Sequence, residues 1–241
     1  MESYIDIHSH ILPGLDDGAE DFEMSLRMLE QAAAGHIDEM ILTPHYKPMR
    51  RNLPPDKIRK VFRELEERKD AAGIPIQLHL GSEIYYSSEV LPALRKGMAL
   101  TMAGTSYVLT EFSPREDHAY IRDAVYSLLS EGYCPILAHV ERYGNLMARK
   151  ARVEELYDMG CCIQVNAASI TGSNGWESRQ DVKWLLKREY VHFVATDSHD
   201  DRKRTPELEE AAAYVAKKYG ETYCGRLFGG NADVLLGGGY L

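Results

Sequence analysis

Histidines and carboxylates recur in this chain at spacings that suit metal chemistry. His8 and His10 flank a serine at the end of the apolar run 4–7. On a strand, residues i and i+2 face the same way, so the two imidazoles project together. Convergent imidazoles suit a divalent transition metal. Asp16-Asp17-Gly18 follows after a short loop and offers carboxylates to the same region. His45, Glu83, Glu111, His139, Asp197 and His199 each stand at or just past the end of a later strand-like run. The candidate ligand set is therefore His8, His10, Asp17, His45, Glu83, Glu111, His139, Asp197 and His199. Nine groups exceed the shell of one tetrahedral or octahedral ion. They would serve two or three ions that share bridging carboxylates and water. A mixed imidazole and carboxylate set suits manganese, iron or zinc better than calcium or magnesium.

Each residue also has a plainer reading. Asp16 is the alternative to Asp17, the other then bracing the turn before Gly18. Glu111 could be a structural acid, although a carboxylate at an inner strand end needs a partner. Glu141 reads as a salt-bridge or supporting contact rather than a tenth ligand. His36, His79, His118 and His192 fall off the strand-end pattern and read as structural or solvated.

Basic residues cluster beside the same positions: Lys47, Arg50 and Arg51 after His45, Arg115 after Glu111, Arg142 after His139, and Arg202, Lys203 and Arg204 after His199. Guanidinium groups match phosphate oxygens bidentately. Most of these side chains are expected to be solvated; Arg142 and Arg204 are the candidates for substrate contact. The four carboxylates of the set would be outweighed by three divalent ions. The filled site would then be cationic and would favour a phosphate. Tyr46, Tyr85, Tyr86 and Tyr143 also fall near strand ends and could line a pocket for an aromatic group.

These groups need a scaffold that gathers strand ends. Strand-like runs at 4–7, 39–42, 76–80, 106–109, 135–138, 162–165 and 192–195 alternate with helical patterns at 21–34, 56–72, 118–131, 150–159, 178–187 and 206–219. Pro54-Pro55 fits a helix start, and Gly73, Gly132, Gly160 and Gly220 fit helix stops. Such alternation predicts parallel strands with crossover helices. In a parallel barrel all the carboxyl ends lie on one rim, where active sites are built. With 241 residues and no linker-like stretch, one α/β domain over 1–241 is expected, a closed or distorted barrel of seven strands. The glycine-rich tail 225–241 contains one further short helical pattern at 231–236, without an evident role.

Composition narrows the function. A net charge of −9 argues against nonspecific nucleic-acid binding and against docking on an anionic membrane. No apolar run approaches membrane-spanning length, and no signal-peptide pattern precedes the first strand. The four cysteines form no CxxC pair and read as reduced thiols, so a cytoplasmic location is expected. No cysteine is followed by arginine six positions later, so the thiolate phosphatase loop is missing. There is also no Gly-x-x-x-x-Gly-Lys-Ser/Thr loop and no Gly-x-Ser-x-Gly elbow. Attack on phosphorus would fall to hydroxide bridging the metal ions.

Together the pieces resemble the PHP superfamily, and within it the bacterial metal-dependent tyrosine-protein phosphatases of capsule and exopolysaccharide loci. The resemblance rests on Asp6 to Gly18 (DIHSHILPGLDDG), Thr43-Pro44-His45, Gly81-Ser82-Glu83, Glu111-Phe112, Ala138-His139-Val140-Glu141-Arg142 and Thr196-Asp197-Ser198-His199. These span the first strand to the last. The resemblance implies a distorted (β/α)7 TIM-like barrel with a trinuclear site, often filled by manganese. It favours Asp17 over Asp16 and places the ligands on the nine residues above. It implies phosphate contacts for Arg142 and Arg204. The implied substrate is a phosphotyrosine protein, typically a bacterial tyrosine autokinase of polysaccharide export. A small-molecule phosphoesterase of the histidinol phosphatase type, a metal-dependent amidohydrolase barrel and a non-catalytic metal-binding regulatory subunit are the rival readings.

Overall fold

Strand β1 (Tyr4–Ser9) opens the chain in a computed structural model that describes residues 3–48 and 52–241. Arg50 and Arg51, two of the basic candidates, lie outside the described residues. Helix α1 (Phe22–Ala34) starts where Asp21 accepts the Met24 N–H at 2.8 Å, an N-cap that satisfies an otherwise orphaned donor. Then follow β2 (Ile37–Leu42), β3 (His45–Tyr46) and α2 (Pro55–Ala71), the last begun by proline as expected. Strands β4 (Gln77–Leu80) and β5 (Glu83–Tyr85) precede the short helix α3 (Val90–Arg95) and the 3-10 turn Met102–Gly104. The next unit is β6 (Tyr107–Glu111), α4 (His118–Ser130) and β7 (Cys134–Leu137). Helices α5 (Gly144–Met147) and α6 (Ala151–Asp158) lead to β8 (Cys162–Asn166), α7 (Ala167–Thr171), α8 (Trp176–Lys187) and β9 (Phe193–Ala195). The chain ends with α9 (Glu209–Tyr219), α10 (Glu221–Gly225), the π-helical turn Arg226–Gly230 and α11 (Asn231–Leu236).

All ladder pairings are parallel. They form two runs, β1-β2-β4 and β3-β5-β6-β7-β8-β9. The seven expected strands are present as nine pieces among the described residues, because two of them break. Pro44 has no N–H to give a ladder, and it separates β2 from β3. Gly81-Ser82 separates β4 from β5, while the backbone still bridges the breaks: Gly81 N–H donates to Leu42 O at 2.9 Å. The curl closes where β9 meets β1. Asp197 N–H donates to His8 O at 2.9 Å and His10 N–H to Ser198 O at 2.8 Å. The distortion lies between β4 and β6, which do not pair; the turn Met102–Gly104 packs between them.

Two apolar layers hold this frame. Inside the barrel sit Ile5, Ile7, Ile41, Leu109, Ile136 and Phe193, joined from below by Ala232 and Leu235 of α11. The short helix in the glycine-rich tail is thus a plug for the barrel interior, fixed by Asn231 Nδ2 donating to His192 O at 2.7 Å. Outside, the helices lay Met28, Leu65, Leu128, Leu156, Leu185 and Val215 against the strands. Each such side chain contributes roughly 1.5–3 kcal/mol of transfer free energy when fully buried.

Candidate metal centre

Every predicted ligand reaches one rim. β1 supplies His8 and His10, both fully buried, and the following loop supplies Asp17. His45 and Glu83 begin the short strands β3 and β5 and are direct register partners. Glu111 ends β6. His139 and Asp197 each stand two residues past a strand, β7 and β9 respectively. Both adopt left-handed backbone, with φ of 36° and 53°. Such values are uncommon for residues with a Cβ and cluster at functional sites. They break the strand alternation at the point where the side chain must aim into the rim.

The donor atoms interlock around Glu83. Its Oε1 lies 2.9 Å from His139 Nε2 and 3.4 Å from His8 Nε2. Its Oε2 lies 3.0 Å from His45 Nδ1 and 3.2 Å from His10 Nε2. Asp197 Oδ1 is within 3.6 Å of His8, His10 and His199. Asp17 Oδ1 is 3.3 Å from His45 Nε2 and 3.7 Å from His199 Nε2. Among the described residues, three groups have one donor atom from each residue within 4.8 Å of one another: His10-Asp17-His45-His199, His8-His10-Asp197 and His45-Glu83-Glu111. His139 joins through Glu83 rather than through any of these groups.

The structure divides the two neighbouring aspartates by role. Asp16 accepts from His10 Nδ1 at 2.8 Å, from His45 N–H at 2.9 Å and from Gly18 N–H at 3.0 Å. It is used up in bracing, whereas Asp17 is two-thirds exposed and faces two imidazoles. Glu141 is likewise a support. Its Oε1 accepts from Asn166 N–H at 3.0 Å and from Ser169 Oγ at 2.6 Å. His36, His79, His118 and His192 stay away from the cluster; His79 pairs with Glu39 and His118 with Glu155. Tyr143 and Tyr86 do not form a pocket wall. Both are buried against Phe112, and the Tyr143 hydroxyl accepts the Phe112 N–H.

Sequence reasoning missed three supports. Asp6 on β1 accepts from Thr196 Oγ1 at 2.5 Å and from Thr196 N–H at 3.1 Å, locking the first strand to the last. Gln164 and Asn166 on β8 touch His8, His139 and Asp197. Their signal was an i, i+2 pair of amides inside the otherwise apolar run CIQVN.

Electrostatics describe a cluster that suits cations. Burial alone would press His10 toward neutrality, but its hydrogen bonds to Asp16 and Glu83 outweigh burial and raise its pKa to about 10. Burial opposes the charge on Glu83 too, yet the surrounding imidazoles, His8 foremost, hold it well below the ordinary carboxylate range. Glu111 moves the other way, raised by burial and by the Glu83 charge. Burial and the neighbouring His10 charge press His199 down to about 4. The carboxylates are thus balanced by protons on imidazoles that converge on one another; His8 Nε2 and His10 Nε2 are only 3.3 Å apart. Among the described residues, buried His139 Nδ1 has no hydrogen-bond partner. Divalent ions would replace those protons and relieve the imidazole repulsion, so the donor set fits them.

Two guanidinium groups complete the rim. Arg142 Nη2 and Arg204 Nη2 meet at Asp197 Oδ2, at 3.1 and 2.9 Å. Asp200 turns the loop to permit this, its carboxylate accepting the N–H groups of Arg202 at 2.7 Å and Lys203 at 2.6 Å. Arg202 remains 86% exposed, which separates it from Arg204. A cavity of about 200 Å³ opens beside them, lined also by Asn166, Asn174, Lys203 and Glu207.

The pattern of the family described as capsular polysaccharide synthesis, CpsB/CapC, matches residues 4–237. The chain belongs to this family. It is 31% identical over 242 residues to the tyrosine-protein phosphatase CpsB of Streptococcus agalactiae serotype III, covering 98% of this chain and 100% of that one. It superposes at a TM-score of 0.93, with 31% identity, on a solved structure from the pair YwqE of Bacillus subtilis and CpsB of Streptococcus pneumoniae. Those proteins are described as metal-dependent tyrosine phosphatases, and the match covers 98% of this chain and 96% of that chain. The histidinol phosphate phosphatase of Lactococcus lactis, solved with zinc, matches at TM-score 0.61 and 13% identity over 89% of this chain and 93% of that one, which shows a shared fold. The barrel frame is thus common to this CpsB/CapC chain and to the histidinol phosphate phosphatase.

Proposed function

We propose that this CpsB/CapC chain is a metal-dependent protein-tyrosine phosphatase that acts on a bacterial tyrosine kinase of polysaccharide export. The observation that supports this most is the pairing of Arg142 and Arg204 on Asp197, beside a nine-residue donor cluster and an open cavity. In this reading His8, His10, Asp17, His45, Glu83, Glu111, His139, Asp197 and His199 hold two or three manganese ions. Bound divalent ions neutralise phosphate oxygens and lower the pKa of the attacking water. Arg142 and Arg204 bind the phosphate through their planar donors and fix its orientation. Asp16 keeps the His10 ring aimed inward through Nδ1. Phenolate is a tolerable leaving group, because tyrosine has a pKa of about 10, so no residue need act as a strong general acid. The three buried cysteines have no part in it; burial drives the Cys162 thiol up to about 12. No helix among the described residues is long and apolar enough to cross a membrane. We place the protein in the cytoplasm on the reduced thiols of Cys134, Cys161 and Cys162.

The test is turnover by the manganese-loaded protein of a phosphotyrosine peptide against histidinol phosphate, with chelator and thiol alkylation as parallel arms. The expected result is preference for the peptide, loss of activity with chelator and none with alkylation. Preference for histidinol phosphate, or inhibition by alkylation alone, would overturn the reading.

A further inference from the structure

Two amide side chains on β8, a strand that carries no candidate ligand, form a relay beneath the cluster. Gln164 Oε1 is 2.8 Å from the His139 backbone N–H and 3.2 Å from His8 Nδ1. Gln164 Nε2 donates to Asn166 Oδ1 at 2.9 Å. Asn166 Nδ2 donates to Asp197 Oδ2 at 2.9 Å. All five residues are buried.

The two ends of this chain admit one orientation. A backbone N–H can only donate, so the Gln164 atom facing His139 is the oxygen. An ionised carboxylate can only accept, so the Asn166 atom facing Asp197 is the nitrogen. The guanidinium groups of Arg142 and Arg204, which can only donate, meet the same oxygen and mark it as an acceptor. With both ends fixed, Gln164 Nε2 must meet Asn166 Oδ1, as it does. His8 therefore faces an acceptor and must carry a proton on Nδ1. In the neutral ring its Nε2 then points its lone pair toward His10, Glu83 and Asp197. At the other end, Asp197 Oδ2 is taken by Asn166, Arg142 and Arg204, which leaves Oδ1 for the cluster.

We infer that Gln164 is a positioning residue: held one way round by His139 and Asn166, it assigns the His8 tautomer and presents His8 Nε2 to a bound metal. Metal-ligating histidines depend on such partners at the other ring nitrogen. Here the partner is a neutral amide whose own orientation is dictated through Asn166 by Asp197. The same relay thus ties the ligand on β1 to the ligand after β9. The inference rests on the metal-centre reading proposed above.

The test uses the zinc-loaded protein, because zinc is diamagnetic, with ¹⁵N-labelled histidine. Long-range ¹H–¹⁵N spectra report which ring nitrogen bears hydrogen, and calorimetry reports zinc affinity. In the wild type, His8 is expected to show a protonated Nδ1 and a metal-shifted Nε2. Gln164→Met fills the same space without an acceptor; the expected result is loss of that signature and about 10- to 100-fold weaker zinc binding. Gln164→Glu keeps an acceptor oxygen, so the Nδ1–H signature is expected to return, and zinc binding with it in part. An unchanged signature and affinity in Gln164→Met overturns the inference. Should Gln164→Met fail to fold, a folded Gln164→Glu lacking the Nδ1–H signal overturns it equally. A wild type that binds no zinc or manganese removes the metal centre itself, and the positioning role falls with it.

Discussion

Gly18 is the tightest backbone contact in the site, and Gly18→Ala puts the geometry to a quantitative test. A Cβ placed there would stand 2.0 Å from His10 O, 2.6 Å from His10 Cβ and 2.8 Å from the His10 carbonyl carbon. Ordinary contact begins at 3.4 Å, so the loop must retreat by more than an ångström. The backbone of Gly18 is not left-handed, so space alone demands glycine there. Retreat would break Ala19 N–H to His10 O at 3.0 Å and pull on Asp16, which accepts the Gly18 N–H. Asp16 in turn holds His10 and the His45 backbone, and Asp17 rides on the same turn. Overpacking of this kind costs about 1–3 kcal/mol. For a chain of this size the melting temperature should fall by about 2–12 °C. Misplacing catalytic groups by an ångström costs on the order of 100-fold in rate. Gly18→Ala should therefore remain folded yet lose about two orders of magnitude in kcat/KM on a phosphotyrosine peptide with saturating manganese. Gly225→Ala is the control, since its Cβ would meet nothing within 4 Å in helical backbone. A wild-type kcat/KM in Gly18→Ala, or an equal loss in Gly225→Ala, would refute the reasoning.

Two further outcomes are expected. Arg142→Ala should reduce turnover by roughly 100- to 1,000-fold while metal content by elemental analysis stays near wild type, because Asp197 keeps Arg204 and Asn166; metal lost in parallel with rate would move Arg142 from substrate to scaffold. His192, whose Nδ1 accepts the Ile163 N–H, is pressed by burial to a pKa of about 4 from 6.5, so the fold keeps it neutral while the unfolded chain takes up a proton. Stability should then drop by up to about 3 kcal/mol as pH falls from 6.5 to 4, and His192→Gln should flatten that part of the denaturant-derived pH profile; equal slopes would show the titration lies elsewhere.

The rim was readable because period-two alternation and parallel order make strand ends converge, whatever the details between them. That logic placed His8, His139 and Asp197 on one rim without any knowledge of loops. It could not split Asp16 from Asp17 on spacing alone, since the split depends on which carboxylate finds the His10 ring and the His45 N–H. It also passed over Gln164 and Asn166. An amide in a strand reads as a solvent-facing residue unless the barrel interior is known to hold a polar layer at that height. The break at Pro44 was visible in the sequence, but its consequence was not: His45 restarts a strand in register with Glu83. Tyr143 misled for the reverse reason. Its position near a strand end suggested a pocket wall, while its ring belongs to the aromatic cluster beneath His139.

The chemistry at both chain ends follows from where the barrel closes. β1 and β9 are separated by nearly the whole sequence, yet each leads into candidate ligands and each needs the other to present them. Asp197 sits at positive φ, a conformation that costs on the order of 1–3 kcal/mol for a residue with a side chain. It is held there by its N–H to His8 O, by the Thr196 bonds to Asp6, and by the adjoining Ser9–Ser198 bridge. In the same contacts His10 receives its backbone acceptor from Ser198. The strain at Asp197 is therefore sustained by the seam that shapes the His8-Ser9-His10 segment. A barrel left open at β9 would lose Asp197 and His199 from the rim and free β1 to twist, so closure of this fold and assembly of its donor cluster are one structural event.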